Sequence, residues 1–261
     1  MFKSFEISDP RFEAEGLRTV TVKSPSLKGR GDISVWAPDG IPPSALVILL
    51  HGVYGSHWSW SKQGGAHRTA ARMLAAHTAV PMALAMPSDG LRGDGSGYIR
   101  HEDGIDFERW IVEDVPLAIH QALPQLAEGA PIFIAGLSMG GFGALRLGSK
   151  YSSKFSGISA HSSVTHLSQL NQFMEETIGG SESDPTNACT LSAICEAGSN
   201  LPPLRFDCGT SDPLLNHNRV LHDALTSKGV HHTYVEFAGG HEWSYWEKHL
   251  EDTLRFFSGL V

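Results

Sequence analysis

Pro131-Ile-Phe-Ile-Ala-Gly-Leu-Ser-Met-Gly-Gly-Phe-Gly-Ala-Leu145 is the stretch on which the reading of this 261-residue chain turns. Its first five residues form an apolar run of the length and composition of a buried strand. The small residues Gly141, Gly143 and Ala144 suit a helix pressed closely against neighbouring strands. Between the two lies Gly136-Leu-Ser138-Met-Gly140, a G-x-S-x-G pentapeptide. A strand that reverses into a helix this tightly holds its serine in a strained backbone conformation. Side chains two positions to either side would clash, and glycine stands at both. The Ser138 hydroxyl then projects from the carboxyl edge of a sheet. The helix that starts at Met139 directs its first N–H groups toward any negative charge that develops there.

A serine hydroxyl is a poor nucleophile at neutral pH. It needs a base, and the base needs an orienting acid. Leu204-Arg-Phe-Asp-Cys208 reads as a short strand running into Gly209-Thr-Ser-Asp212-Pro213, so Asp212 lies in a loop past a strand end. His232-Thr-Tyr-Val-Glu-Phe237 alternates as a strand does and stops at Gly239-Gly240-His241. Ser138, Asp212 and His241 are therefore the candidate catalytic residues, all expected on one edge of one sheet. Asp207 is the rival acid, but it is committed to its strand, as is Glu236. His249 falls in a terminal amphipathic helix. Ala45-Leu-Val-Ile-Leu-Leu50 is the strongest buried-strand signal, and His51-Gly-Val-Tyr-Gly55 follows it. Gly52 and Gly55 let that loop turn its amides inward. The N–H groups of Met139 and Val53 are the expected oxyanion donors, with Tyr54 next in order, and His51 is expected to brace the loop. The aromatics Tyr54, Trp58, Trp60, Trp243, Tyr245 and Trp246 flank these loops. Tyr54, Trp58 and Trp243 are assigned to the substrate pocket, with core packing as the alternative for the set.

The remaining patterning alternates strands with helices. Strands are expected at 19–23, 33–37, 45–50, 80–86, 131–135, 157–160, 204–208 and 232–237. Helices are expected at 66–77, 106–123, 139–150, 214–228 and 243–257. This order implies an α/β fold with a mostly parallel sheet covered by helices on both faces. One domain spans 1–261, with residues 161–201, rich in Ser and Asn, forming a lid or pocket wall. Gly93-Asp-Gly-Ser-Gly97 lacks the Gly-Lys-Ser/Thr ending of a phosphate-binding loop and is expected to be a mobile loop.

Taken together, these segments resemble the putative-esterase family of α/β-hydrolases, which includes S-formylglutathione hydrolase (esterase D), tributyrin esterase, feruloyl esterases and mycolyl transferases. The resemblance runs from about Val35 to about Phe257. Its carriers are Leu50-His-Gly-Val-Tyr-Gly55 with Trp60, Met86-Pro-Ser-Asp-Gly90, Gly136 to Leu145, Cys208-Gly-Thr-Ser-Asp212, and Gly239-Gly-His-Glu-Trp243 with Tyr245-Trp246. It implies the α/β-hydrolase fold. It also places a nucleophile, acid and base on Ser138, Asp212 and His241, the residues reached above. The chain departs from the family at Leu91-Arg-Gly-Asp-Gly-Ser-Gly-Tyr98, where members often carry an aromatic-Tyr pair.

Composition narrows the function classes. A formal net charge of −8 argues against a nucleic-acid partner. The uninterrupted apolar run 45–50 is too short to span a bilayer, and the N-terminal residues lack the apolar core of a signal peptide. Three cysteines without a C-x-x-C suit reduced thiols in a cytoplasm. The 14 histidines include no H-E-x-x-H, so no metal and no cofactor are expected. The expected activity is a serine carboxylesterase that hydrolyses small acyl esters through an acyl-enzyme on Ser138. Thioester hydrolysis of the S-formylglutathione hydrolase type and acyl transfer are the enzymatic alternatives. A non-catalytic binding module on the same scaffold is the alternative of another class, and it has no need of Ser, Asp and His together. Oligomeric state is not legible.

Overall fold

Period-two burial organises the molecule. Strand β4 (Ala45–Leu50) is buried at every position, as is β5 (Met82–Pro87). Leu46, Ile48 and Leu50 enter one core, while Ala45, Val47 and Leu49 enter a second. A strand whose alternate residues face two separate cores must lie between two helical layers.

The computed structural model describes residues 2–176, 178 and 185–261. The other strands are β1 (Phe5–Ile7), β2 (Leu17–Ser24), β3 (Gly29–Trp36), β6 (Ile132–Leu137), β7 (Gly157–His161), β8 (Leu204–Gly209) and β9 (Thr233–Phe237). They form one nine-stranded sheet in the order β1-β2-β3-β5-β4-β6-β7-β8-β9. From β5 to β9 every neighbour is parallel, whereas β1, β2 and β3 add an antiparallel edge. The sheet is thus mostly parallel, as the alternation of elements implies, and β1 is a strand the sequence reading did not contain.

The helices are α1 (Ser59–Lys62), α2 (Ala66–Ala75), α3 (Phe107–Arg109), α4 (Val115–Ala122), α5 (Met139–Lys150), α6 (Pro185–Ala188), α7 (Thr190–Ala197), α8 (Leu215–Ser227) and α9 (Trp243–Ser258). One core takes Trp110, Val115 and Ile119 near α3 and α4, Phe142 and Leu145 from α5, and Leu221 and Leu225 from α8. The other takes Ala70 and Met73 from α2 and Leu250, Leu254 and Phe257 from α9. The expected helix at 106–123 is interrupted by a π turn over Trp110–Asp114. Pro116 has no N–H to offer the Val112 carbonyl and its ring crowds that carbonyl, so the helix widens just before it.

Two further stretches concern loops. The 161–201 stretch holds a 3-10 turn at Leu167–Gln172 together with α6 and α7, and α7 packs on α5. Its residues 177 and 179–184 lie outside the described ones. The segment expected to be a mobile loop, 93–97, is tied down instead. Asp89 accepts from the N–H of Leu91 at 3.0 Å and of Ser96 at 2.7 Å, and Ser96 is completely buried.

Candidate active site

The tightness of the turn after β6 is measurable. Ser138 has φ 54° and ψ −118°, a conformation few non-glycine residues adopt. A Cβ at Gly136 would run into the Gly140 carbonyl, and one at Gly140 would run into the Leu50 carbonyl. Backbone on both sides cannot retreat, so the two glycines are required. The strained serine is pinned from below: its N–H donates to the His161 carbonyl at 3.0 Å and its carbonyl accepts from Val164 at 3.2 Å.

The other two residues reach the same edge from β8 and β9. The Thr210 N–H donates to Phe237 O at 2.8 Å and the Ser211 N–H to Gly239 O at 2.9 Å, which locks the two strand-end loops together. His241 Nδ1 lies 2.9 Å from Asp212 Oδ2, and His241 Nε2 lies 3.0 Å from Ser138 Oγ. The other Asp212 oxygen accepts the Leu214 N–H at 2.8 Å. Burial alone would raise the Asp212 carboxyl. The hydrogen bond and charge of His241 and the Leu214 amide outweigh it and hold the pKa below the usual aspartate value. Asp212 therefore remains an ionised acceptor, which fixes the proton on His241 Nδ1 and leaves Nε2 to accept from Ser138.

Asp207 has a different set of partners. It is completely buried in β8, 3.0 Å from His161 Nδ1, 2.9 Å from the Tyr245 hydroxyl and 2.8 Å from Arg205 Nη2. His161 passes the network on to Thr253 at 2.9 Å. This cluster lies beneath the sheet edge and does not contact Ser138 Oγ. Its geometric link to the serine is the His161 backbone carbonyl.

The loop after β4 faces the serine. His51 donates from Nδ1 to Gly52 O at 2.7 Å and accepts the Asp89 N–H at Nε2 at 3.0 Å, while the Tyr98 hydroxyl donates to His51 O at 2.9 Å. His51 thus ties the loop to the end of β5. The Tyr54 N–H is taken by Asp94 O at 2.8 Å. Among the described residues, the N–H groups of Val53 and Met139 have no acceptor.

A cavity of about 450 Å³ opens above Ser138 and His241. Tyr54, Trp58 and Trp243 line it, as does Trp246. Trp60 and Tyr245 belong to the core, which splits the flanking aromatics between the two fates considered for them. Phe173 also lines the cavity; it falls in the 161–201 stretch expected as a lid or pocket wall, where the sequence reading singled out no residue. Its ring stacks on His241 at 5.5 Å and 14°, while Trp246 meets the same imidazole edge-on at 4.9 Å and 89°. Among the described residues lining the cavity there is no Lys or Arg, and Glu242 is the one carboxylate. Among the described residues no cluster of His, Cys, Asp and Glu could hold a metal ion. No described helix is long and apolar enough to cross a membrane.

The family described as "Putative esterase" matches residues 24–257. This chain belongs to it. As a member it is a carboxylic ester hydrolase with an α/β fold. The esterase is 28% identical over 232 residues to an acetyl esterase of Caldicellulosiruptor saccharolyticus, covering 81% of this chain and 82% of the relative. It superposes on a solved ferulic acid esterase with a TM-score of 0.80 at 24% identity, covering 99% of this chain and 100% of the other. An S-formylglutathione hydrolase from Agrobacterium tumefaciens gives a TM-score of 0.78 at 18% identity, covering 100% and 99%. Likenesses at these identities speak for the fold that the esterase shares with them.

Proposed function

We propose that this esterase is a serine carboxylesterase for small, neutral acyl esters, with Ser138 as nucleophile, His241 as general base and acid, and Asp212 as the orienting carboxylate. The observation that carries this reading is the unbroken hydrogen-bond chain from Ser138 Oγ through His241 to Asp212 at the floor of an aromatic cavity.

In the first half-reaction Ser138 Oγ attacks the ester carbonyl carbon while its proton passes to His241 Nε2. Negative charge collects on the former carbonyl oxygen, where the Val53 and Met139 N–H groups donate to it. Asp212 stabilises the imidazolium without taking its proton. When the tetrahedral species collapses, the C–O bond to the alcohol breaks and His241 returns its proton to the leaving oxygen. In the second half-reaction a water gives a proton to His241 and attacks the acyl-enzyme. Collapse then releases the carboxylic acid and returns the proton to Ser138 Oγ.

The described lining supports a neutral ester over the thioester of glutathione, because that thiol carries two carboxylates and the described lining residues include no Lys or Arg to meet them. The acetyl esterase relative is in keeping with a short acyl group. Cys195 is exposed and Cys208 buried as free thiols, which supports a reducing compartment such as the cytoplasm.

The test pairs wild type with Ser138→Ala. Wild type is expected to hydrolyse p-nitrophenyl acetate, to react covalently with a fluorophosphonate at Ser138, and to favour neutral esters over S-formylglutathione. Ser138→Ala is expected to lose on the order of 10⁶ in kcat and all labelling, with an unchanged circular dichroism spectrum. More than about one per cent residual turnover in the folded variant is incompatible with the assignment.

A further inference from the structure

The glycine-rich stretch Leu91–Tyr98 departs from its family, and the mechanism above makes no use of it. Its middle residue, Asp94, touches two parts of the site at once. The Asp94 carbonyl accepts the Tyr54 N–H at 2.8 Å. Tyr54 has φ 57°, in the left-handed region that a tyrosine rarely enters, and it follows Val53, whose own N–H is a proposed oxyanion donor. The Asp94 carboxylate meets the Tyr54 hydroxyl and also reaches a second segment. Its Oδ2 accepts the N–H of Glu175 at 2.7 Å and of Glu176 at 3.0 Å. Those residues close the short segment that begins at Phe173, the ring stacked on His241. The neighbouring backbone fits the same contact. A Cβ at Gly95 would lie 2.6 Å from Met139 Sδ, and one at Gly93 would run into the Glu176 carboxylate. A side chain at either position would force the Glu176 carboxylate or the Met139 thioether to shift.

Resting on the serine-esterase reading, we infer that Asp94 is a positioning residue for the pocket wall. Its carboxylate clasps the Glu175 and Glu176 amides and thereby holds Phe173 against His241, while its backbone carbonyl fixes the Val53–Tyr54 turn.

The two halves are separable. A side-chain substitution removes the clasp and the carboxylate's contact with the Tyr54 hydroxyl but leaves the backbone carbonyl on the Tyr54 N–H, so the Val53–Tyr54 turn persists while the wall loosens. The carboxylate is ionised at neutral pH, as an acceptor for two amides should be. The Glu176 amide, against the smaller opposing effect of burial, holds its pKa below the usual aspartate value. Loss of the wall should act on the part of the substrate that Phe173 covers, which is binding and size preference. The bond-making step at Ser138 should change much less.

Asp94→Ala, Asp94→Asn, Phe173→Ala and the double variant Asp94→Ala/Phe173→Ala test this in two ways. The first is kinetic, using p-nitrophenyl acetate and butyrate. Asp94→Ala is expected to raise KM for the butyrate at least fivefold, with kcat for the acetate within threefold of wild type. Asp94→Asn, which keeps a carbonyl oxygen for the two amides, should recover most of the loss. The double variant should be no worse than Phe173→Ala, because Asp94 acts through that ring. The second is limited digestion with a glutamate-specific protease, with cuts after Glu175 and Glu176 read by mass spectrometry. Cleavage there should be at least tenfold faster in Asp94→Ala than in wild type or Asp94→Asn. This arm does not depend on turnover, so failure of the esterase reading appears as an inactive wild type with the digestion pattern intact. Digestion of Asp94→Ala at the wild-type rate overturns the clasp. So do butyrate kinetics within twofold of wild type, or losses in Asp94→Ala and Phe173→Ala that multiply in the double variant.

Discussion

Two aspartates separated by four residues, Asp207 and Asp212, should fail in opposite ways when each is changed to asparagine. Asp212→Asn keeps the shape of the site but removes the ionised acceptor 2.9 Å from His241 Nδ1. The amide favours the wrong imidazole tautomer, and in triads of this geometry that costs about 10⁴ in kcat. It should cost little stability, since an amide oxygen can still accept the Leu214 N–H. Asp207→Asn leaves the triad untouched. It strips the counter-charge from Arg205, which is 4% exposed and 2.8 Å away. Breaking one partner out of a buried pair costs about 3–5 kcal/mol, and asparagine, which still accepts from Tyr245, belongs near 3 kcal/mol. At about 2–4 °C per kcal/mol for a chain of this size, the melting temperature should fall by roughly 6–12 °C. The assay measures melting by calorimetry, and kcat at 25 °C on the fraction shown to be folded. The expected result is a cold-stable, active Asp207→Asn and a normally melting, inactive Asp212→Asn. A thousandfold loss of kcat in folded Asp207→Asn, with Asp212→Asn near wild type, would refute the assignment of the acid.

The gap in melting temperature between wild type and Asp207→Asn should itself depend on pH. Burial pushes the Asp207 carboxyl up, but His161, Arg205 and Tyr245 together bring it below its unfolded value. Its contribution is therefore present in full above the unfolded pKa of about 3.9 and is lost as pH falls through the lower folded value, so the gap should narrow below about pH 4. A gap that widens in acid contradicts this sign. Gly140→Ala should destabilise by about 1–3 kcal/mol through overpacking, despite the better helix propensity of alanine, because the new methyl meets the Leu50 and His51 carbonyls; a higher melting temperature would count against it. Trp60→Phe removes the indole N–H that donates to Leu50 O at 2.9 Å within the core. It should cost about 1–3 kcal/mol in thermal unfolding, and an unchanged melting curve would show that the bond contributes nothing.

The three residues of the hydrogen-bond chain were legible because each follows a strand whose end is written in the sequence. Gly136 comes one residue before the end of β6, Gly209 ends β8 and Gly239 lies in the turn after β9. Buried strands announce themselves through unbroken apolar runs, and a loop beyond such a run has little choice of edge. Phe173 was not legible for the opposite reason. It sits in a stretch without periodicity, and the ring it covers is 68 positions away, so only the folded chain brings the two together. Asp94 was hidden by its neighbours, since an aspartate among glycines and serines reads as a solvated turn. The π turn at Trp110–Asp114 follows from Pro116, a residue in plain view. Its effect depends on whether the surrounding core forces the helix to continue past the proline, and here it does. The edge strand β1, Phe5-Glu-Ile7, alternates apolar and polar but is three residues long, below the length at which alternation carries a signal.

Phe173 hangs from a segment that no strand of the sheet supplies, whereas the proposed triad of Ser138, Asp212 and His241 follows three of them. On the proposed assignment one wall of the pocket is thus carried on a part of the chain separate from the reacting groups. A lineage of such proteins can vary the stretch around Phe173 and meet a new substrate while the hydrogen bonds among Ser138, His241 and Asp212 stay in place. The same separation invites grafting in the laboratory: the stretch from a relative, joined after Val164 and before Leu204, would leave the Val164 N–H on the Ser138 carbonyl and arrive over a floor already assembled.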